Sequence, residues 1–247
     1  MRFSLICVII MMKLFNILIH YNNKKGVFRK MNTIGYCEYI TSIVKDLSAD
    51  KHLTTMKIAG KLSGTFNIEM GKAKKITNVN LKRLADKGEL IRIDKGVYAR
   101  SKITPFGNIP PNKDEILTEI LLKENGDTIG YIAGPTLLNV FGLCSLMPKE
   151  RYITTNRYRR KLPSDTAIRI QRPVTTVTDE NVAYLRTLEV FSAMERYHVD
   201  AEHPELILRD MLQKIQISNE SLIWYARNYY NNQILLRTID IALGGLQ

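Results

Sequence analysis

The sequence has few cysteines, and they lie far apart. Cys7, Cys37 and Cys144 are the only three in 247 residues, and no CxxC pair occurs. An odd number of cysteines at such wide spacing provides neither a disulfide framework nor a zinc site. This usage is typical of a reducing cytoplasm, so we expect a cytoplasmic protein.

Histidine is also scarce, with four residues in the chain. His198 and His203 flank Asp200, but they are five residues apart and Pro204 follows, so the i, i+4 spacing of two helical metal ligands is not met. The chain also lacks a P-loop, a GxSxG motif and an HExxH motif. We therefore expect no enzyme: no catalytic residue, no metal site, no cofactor and no small-molecule substrate.

Acidic residues are outnumbered. The chain has 36 Lys and Arg against 24 Asp and Glu, a formal net charge of +12, while 45% of its residues are hydrophobic. That composition is sufficient for a packed core and excludes global disorder. The excess of positive charge favours a polyanionic partner, nucleic acid first and an anionic membrane surface second. The alternative is a basic surface that only aids solubility.

Long apolar runs are missing except near the N-terminus. Phe3 to Ile19 is apolar but interrupted by Lys13 and Asn16, and no small-residue cleavage site follows it. Codons for Lys24 to Val27 can include a purine-rich ribosome-binding site upstream of Met31. We therefore expect residues 1–30 to be a mis-called start and expect no membrane partner. A membrane anchor and an ordinary apolar helix are the alternatives.

From Met31 onwards, the pattern predicts three helices and a hairpin. In order, they are Glu38–Leu47, Met56–Leu62, Lys72–Lys87, Leu90–Ile93 and Val97–Arg100. Thr54 or Thr55 can cap the second helix, and Ser63-Gly64 is expected to break it. Gly88 stands where a left-handed residue often ends a helix. This order is typical of a winged helix-turn-helix domain, which we assign to residues 31–104.

The predicted third helix has two distinct sides. Leu81, Leu84 and Ala85 form a stripe that faces a core, while other positions carry cations and an amide. By count, residues 31–106 hold fourteen Lys or Arg and seven Asp or Glu, a net charge of +7. A helix of this width fits the major groove of double-stranded DNA, and the hairpin can contact the backbone beside it. The predicted DNA-binding residues are Lys72, Lys74, Lys75, Asn78, Lys82 and Arg83 on the helix, and Arg92 and Lys95 on the hairpin, with Arg100 at its end. The alternative is a solvated helix face.

The remainder is predicted to be a linker and a second domain. Ser101 to Pro111 contains three prolines and is interpreted as a linker. The second domain, residues 110–247, is predicted to be a mixed but mainly helical α/β domain, so the whole chain is assigned to the α+β class. Its predicted helices are Asp114–Leu122, Thr136–Phe141, Asn181–Tyr197, Pro204–Gln213, Ser221–Tyr230 and Ile234–Leu243, and its predicted strands are Arg151–Thr155 and Ala167–Gln171.

A second basic cluster lies between those two strands. It comprises Arg157, Tyr158, Arg159, Arg160 and Lys161, and residues 149–172 hold eight Lys or Arg against two acidic residues. Arginine next to tyrosine suits phosphate binding with base stacking, as in RNA or single-strand recognition. It equally suits a second contact on duplex DNA, an acidic protein partner, or an exposed loop with ordinary charges.

Several of these segments together resemble the AbiEi-like antitoxins of the bacterial abortive-infection type, a group linked to type IV toxin–antitoxin systems. The resemblance covers roughly residues 31–247. The matching segments are Ile93–Tyr98, Phe106–Pro111, Gly134–Asn139 with Phe141–Leu143, and Ile153–Arg160.

The resemblance implies a protein with two roles. A winged helix would bind the promoter of its own operon and repress it, through Lys72–Arg83 and Arg92–Lys95. The C-terminal domain would counter a nucleotidyltransferase-type toxin, with or without direct contact, and Arg157–Lys161 would give it a positive surface. The chain departs from the family in residues 1–30 and in a longer connection between the second and third helices, around Phe66–Met70. A stand-alone transcriptional regulator, or an RNA- or partner-binding regulator that uses Arg157–Lys161, remains the alternative.

Overall fold

The computed structural model describes residues 35–48 and 51–243. It confirms a mixed α+β protein. The chain divides into two compact units, the first ending at Pro111 and the second beginning at Asn112. The apolar stretch in residues 1–30 lies outside the described residues. Within them, no helix is both long enough and apolar enough to cross a bilayer.

The described residues of the first unit form three helices, a three-stranded antiparallel sheet and, at the end, a small hairpin. The helices and the strands of the sheet are α1 (Tyr36–Lys45), β1 (His52–Thr54), α2 (Thr55–Phe66), α3 (Met70–Asp86), β2 (Ile91–Asp94) and β3 (Val97–Ala99). The sheet order is β1-β3-β2, so β3 pairs with both neighbours. Apolar side chains from all three helices meet in one core, in which Ile40, Ile58, Leu62 and Leu81 are almost completely buried.

The second helix is longer than predicted, and the connection after it is shorter. Ser63-Gly64 does not break α2, because an exposed glycine costs a helix only about 1 kcal/mol. The Ser63 hydroxyl also donates to the Ile68 carbonyl at 2.7 Å, just past the helix end. Asn67 ends the helix in the left-handed conformation at φ 50°. The α2–α3 connection is therefore residues 67–69, and the expected long connection around Phe66–Met70 is wrong.

The predicted cap of α2 is confirmed. The Thr54 hydroxyl accepts a hydrogen bond from the Lys57 amide at 3.2 Å. Thr54 also belongs to β1, a three-residue strand that sequence patterning missed because it is too short to show alternation. Gly88 after α3 has the expected left-handed backbone, with φ 78°.

The segment predicted to be a linker contains a small antiparallel hairpin instead. Its strands are β4 (Lys102–Thr104) and β5 (Gly107–Ile109). Pro105 lies in the turn, where its missing amide removes no ladder hydrogen bond. Gly107 takes φ 121°, and its carbonyl accepts from the Thr104 hydroxyl at 2.7 Å. Pro105 therefore belongs to a hairpin turn and not to an unstructured linker.

The second unit contains six helices, a three-stranded sheet and one small hairpin among its described residues. The elements are α4 (Lys113–Leu122), β6 (Lys123–Glu124), β7 (Asp127–Thr128), β8 (Gly130–Ala133), α5 (Gly134–Val140), β9 (Arg151–Thr155), β10 (Ile168–Gln171), α6 (Val182–Arg196), α7 (Pro204–Ile215), α8 (Asn219–Tyr229) and α9 (Asn232–Ala242). The central strand β9 pairs parallel with β10 and antiparallel with β8. The predicted helices and strands of this region are therefore present, with ends shifted by a few residues.

Strand β8 was not predicted, and its first residue shows why glycine is required there. A side chain on Gly130 would place its Cβ 2.5 Å from the Leu121 carbonyl oxygen and 2.7 Å from that of Thr154. The main core of the unit lies among its helices, around residues such as Leu138, Leu188 and Phe191. The loop after β9 carries the second basic cluster.

Candidate nucleic-acid interface

One side of α3 packs into the core, and the other carries the predicted DNA-binding residues. Ala73, Thr77, Asn80, Leu81 and Leu84 are buried. Their spacing of three and four residues places them on a single side of the helix. The exposed residues on the opposite side include Lys72, Lys75, Asn78, Lys82 and Arg83, while Lys74 at the margin is half-buried. Helical periodicity alone therefore placed these side chains correctly.

The cations of this face have no side-chain partner among the described residues. Across residues 35–48 and 51–243, no ion pair or hydrogen bond engages the side chains of Lys72, Lys75, Lys82 or Arg83. The only carboxylate at the exposed positions is Asp86, in the last turn. Lys72 and Lys75 are three residues apart, a spacing at which like charges repel. A polyanion against this face would relieve that repulsion.

The two asparagines of the helix differ in what their amides do. Asn80 is buried, and its side-chain nitrogen donates to the Ile76 carbonyl at 2.9 Å. Asn78 is exposed, and no contact within the described part of the chain engages its amide. It therefore offers both a donor and an acceptor to an external ligand.

The β2–β3 hairpin holds the other two predicted residues. Arg92 is exposed, and its Nε donates to the Asp94 carbonyl at 3.4 Å, while Lys95 is exposed in the turn. The amide of Thr55 donates to the Gly96 carbonyl at 2.8 Å, which holds the turn against the start of α2. Lys95 is thereby kept beside the first turn of the second helix.

Arg100 does not belong to this surface, contrary to the expectation from sequence. Its guanidinium donates to the carbonyls of Val44, Lys45 and Leu47 at 3.5, 2.9 and 3.3 Å. These carbonyls lie at and just beyond the C-terminus of α1, where a helix carries partial negative charge. Arg100 is therefore a structural residue that joins the end of the sheet to α1.

In the second basic cluster, several charges are already engaged. Arg157 forms an ion pair with Glu124 of the β6–β7 hairpin. The guanidinium carbons of Arg159 and Arg172 lie 5.5 and 5.3 Å from the centre of the Tyr158 ring, within the range of cation–π attraction. Arg172 was not predicted, because it reaches Tyr158 from just after the end of β10 and no local pattern links the two.

Most residues of that cluster border an open concavity of about 580 Å³, which is lined by Asn156 to Arg160. Its base is fixed, because the Asn156 amide group exchanges two 2.8 Å hydrogen bonds with the backbone of Val177. The exposed Lys161 has no partner within the described residues. The loop is therefore a structured basic surface in which part of the charge is internally balanced.

A buried polar cluster in the second unit was missed by the sequence analysis. Glu189 is 7% exposed, and its Oε1 accepts from Arg196 at 2.8 Å and from the Gly134 amide at 3.2 Å. Burial raises the pKa of Glu189, although Arg196 and the Gly134 amide oppose that rise. Burial likewise raises the pKa of the Tyr131 and Tyr230 hydroxyls nearby. The carboxylate closes the N-terminus of α5, where an anion is favoured.

Asp200, which lies between His198 and His203 in the sequence, makes a loop contact with Ser145. Asp200 accepts from the backbone amide of Ser145 at 3.0 Å and also from its hydroxyl. These hydrogen bonds hold the pKa of Asp200 below its usual value. Within residues 35–48 and 51–243, no three His, Cys, Asp or Glu side chains lie close enough to share a metal ion.

Comparison with known proteins does not extend this description. No protein-family model matches the chain, and no curated protein does either. The candidate interface therefore depends on the residues and contacts described above.

Proposed function

We propose that the protein is a cytoplasmic transcriptional repressor that binds double-stranded DNA through a winged helix-turn-helix in its first unit. The principal supporting observation is the exposed face of α3, where several cations and the Asn78 amide have no partner in the part of the chain that the structure describes. A helix-turn-helix places its second helix in the major groove. In this chain, that recognition helix is α3.

The order of elements supports this assignment. The order α1-β1-α2-α3-β2-β3, with a three-residue connection between α2 and α3, is the order expected of a helix-turn-helix followed by a hairpin. In the proposed complex, Lys72, Lys82 and Arg83 reach phosphates or base edges. Arg92 and Lys95 contact the backbone beside the groove, as the wing does.

The resemblance to AbiEi-like antitoxins extends the proposal. The target DNA is then the promoter of the protein's own operon. The second unit counters a nucleotidyltransferase-type toxin, by direct contact or otherwise. Neither role requires a cofactor, a metal or a catalytic residue.

A binding titration on the DNA upstream of the protein's own gene tests the repressor role. If the protein neutralises about 6–10 phosphates, its affinity falls by about 10³–10⁵ between 50 and 200 mM salt. A scrambled duplex of equal length is the control, and it should bind far more weakly at physiological salt. Binding that ignores both salt and sequence would contradict the proposal.

The second candidate function is an RNA- or partner-binding regulator that works through Arg157–Lys161. The observation that favours it is the stack of Arg159 and Arg172 on Tyr158 beside an open concavity. Replacing Arg157, Arg159 and Arg160 with alanine separates the two roles. If toxin neutralisation is lost while promoter binding is intact, the loop acts in RNA or partner binding. If promoter binding is lost, the loop is part of the DNA contact.

A further inference from the structure

Val79 is an apolar side chain within the cationic face of α3. It is 50% exposed. With about 100° between successive residues of an α-helix, Lys75 and Lys82 lie about 40° and about 60° around the axis on one side of Val79, and the exposed Arg83 lies about 40° on the other side. The exposed residues thus surround it. Val79 was not among the predicted DNA-binding residues, although helical periodicity places it on the same side of α3 as Lys75 and Lys82.

Core packing among the described residues does not account for a valine at position 79. The side chain takes no part in the core of the first unit. Valine is also a poorer helix former than the lysine, alanine or arginine that an exposed position would otherwise favour. Single exposed apolar residues are common on protein surfaces. This one differs because it is flanked by groups suited to DNA and adjoins Asn78, whose amide is free.

The two side chains match the major-groove edge of an A·T pair. Adenine presents the N7 acceptor and the N6 amino group, which an asparagine amide can engage with two hydrogen bonds. Thymine presents a C5 methyl group, which an apolar side chain can cover. A lysine in place of Asn78 would instead favour guanine. The combination therefore distinguishes A·T from G·C.

We infer that Asn78 and Val79 determine base specificity, Asn78 by binding an adenine and Val79 by covering the methyl group of a thymine at the same or the adjacent base pair. This inference depends on the proposed function, because it names what the α3 face recognises. The inference predicts that the operator contains an A·T base pair at the point where α3 enters the major groove.

Base analogues test each contact by removing one group at a time. Each thymine of the upstream duplex is replaced in turn by deoxyuridine, which lacks only the methyl group, and affinity is measured by fluorescence anisotropy. For the wild-type protein, one or two positions should lose about fourfold in affinity, the equivalent of one buried methyl. At those positions Val79→Ala should be insensitive to uracil. Ile103→Ala, which removes an exposed apolar side chain outside α3, is the matched control and should keep the wild-type response.

The Asn78 contact is tested in the same way. Replacing the critical adenine with 7-deazaadenine removes the N7 acceptor and should weaken wild-type binding about fivefold or more, but should not affect Asn78→Ala. Circular dichroism checks that both variants keep their helix content, which alanine favours.

The outcomes separate this inference from the proposed function. Tight, salt-dependent binding that tolerates uracil and 7-deazaadenine at every position overturns the inference and leaves the repressor role intact. Sensitivity that persists unchanged in Val79→Ala and Asn78→Ala also overturns it. Failure to bind any duplex overturns both.

Discussion

The two basic regions of this protein have similar charge in the sequence but differ in what their cations do. On α3, Lys72, Lys75 and Lys82 have no partner among the described residues. In the loop after β9, Arg157 pairs with Glu124, and Arg159 lies over Tyr158. Net charge alone, +7 in residues 31–106 and +6 in residues 149–172, would rank the two regions almost equally, whereas the contacts distinguish them.

The difference shows which cations are available to a ligand. A cation that is already paired must break its contact before it can bind a phosphate, so part of the gain is lost. A free cation loses only its bound water when it binds a phosphate, and its binding releases counterions from the DNA. We therefore expect the free cations of α3 to control DNA affinity and the engaged cations of both regions to contribute to stability. Four measurements test that rule.

The largest effect is expected from the α3 face. Lys75→Ala combined with Lys82→Ala should weaken promoter binding about 100-fold and lower the slope of log affinity against log salt by about 2, because two phosphate contacts are lost. Fluorescence anisotropy at several salt concentrations measures both quantities. The matched control, Arg159→Ala combined with Arg160→Ala, should change affinity less than about threefold. Equal losses in the two double variants would refute the distinction between the regions.

Arg100 tests the opposite case, a cation used by the fold. Arg100→Ala removes its hydrogen bonds to the carbonyls at the end of α1 and should destabilise the first unit by about 2 kcal/mol. Hydrogen exchange of α1 amides, followed by mass spectrometry, measures the loss. Lys95→Ala is the control, and it should leave α1 exchange unchanged while weakening DNA binding. If α1 exchange is the same in Arg100→Ala and the wild type, the structural role assigned to Arg100 is wrong.

The Arg157–Glu124 pair is expected to contribute less, because both side chains are partly exposed. A double-mutant cycle with Arg157→Ala and Glu124→Ala should give a coupling energy of about 0.2–1 kcal/mol, which falls as salt rises. Urea unfolding followed by Trp224, the single tryptophan, reports on the second unit. A coupling near zero would mean that Arg157 is as free as the lysines of α3.

The smallest effect concerns Glu189. The ion pair with Arg196 only partly offsets the effect of burial on the pKa of its carboxyl group. Because burial raises its pKa, the folded protein holds this proton to higher pH than the unfolded chain does. The free energy of unfolding should therefore fall as pH rises from near 4.5 to the raised pKa and stay level above it. Glu189→Gln should lack this slope. Urea unfolding followed by Trp224 fluorescence measures the free energy of unfolding of both proteins. The account is contradicted if the wild type becomes more stable relative to Glu189→Gln as the pH rises through that range.

The parts of the molecule that sequence patterns predicted are those governed by local periodicity. The separation of Leu81 from Lys82 on α3, the Thr54 cap and the left-handed Gly88 each follow from a few neighbouring residues. The helices and two strands of the second unit follow from similarly local signals. Asn78 and Lys75 were placed on the exposed side for the same reason.

The missed features depend on contacts between residues distant in sequence. Arg100 contacts carbonyls more than fifty residues earlier in the chain, and Arg172 reaches Tyr158 across a loop. The buried Glu189 accepts hydrogen bonds from Arg196 and from the amide of Gly134, which is 55 residues earlier in the chain. No periodicity of charge or hydropathy encodes such partners. Consequently the sequence located both basic regions but could not tell free cations from engaged ones.

The most direct test of the central claim is a lysine footprint of the complex with the upstream DNA. Lys72, Lys75, Lys82 and Lys161 are all exposed, so their acetylation rates in the free protein should be comparable. On binding DNA, the rates at Lys72, Lys75 and Lys82 should fall about tenfold or more, because each ammonium is then held against the duplex. The rate at Lys161 should not change. Protection of Lys161 with unaltered acetylation of the three α3 lysines would contradict the account.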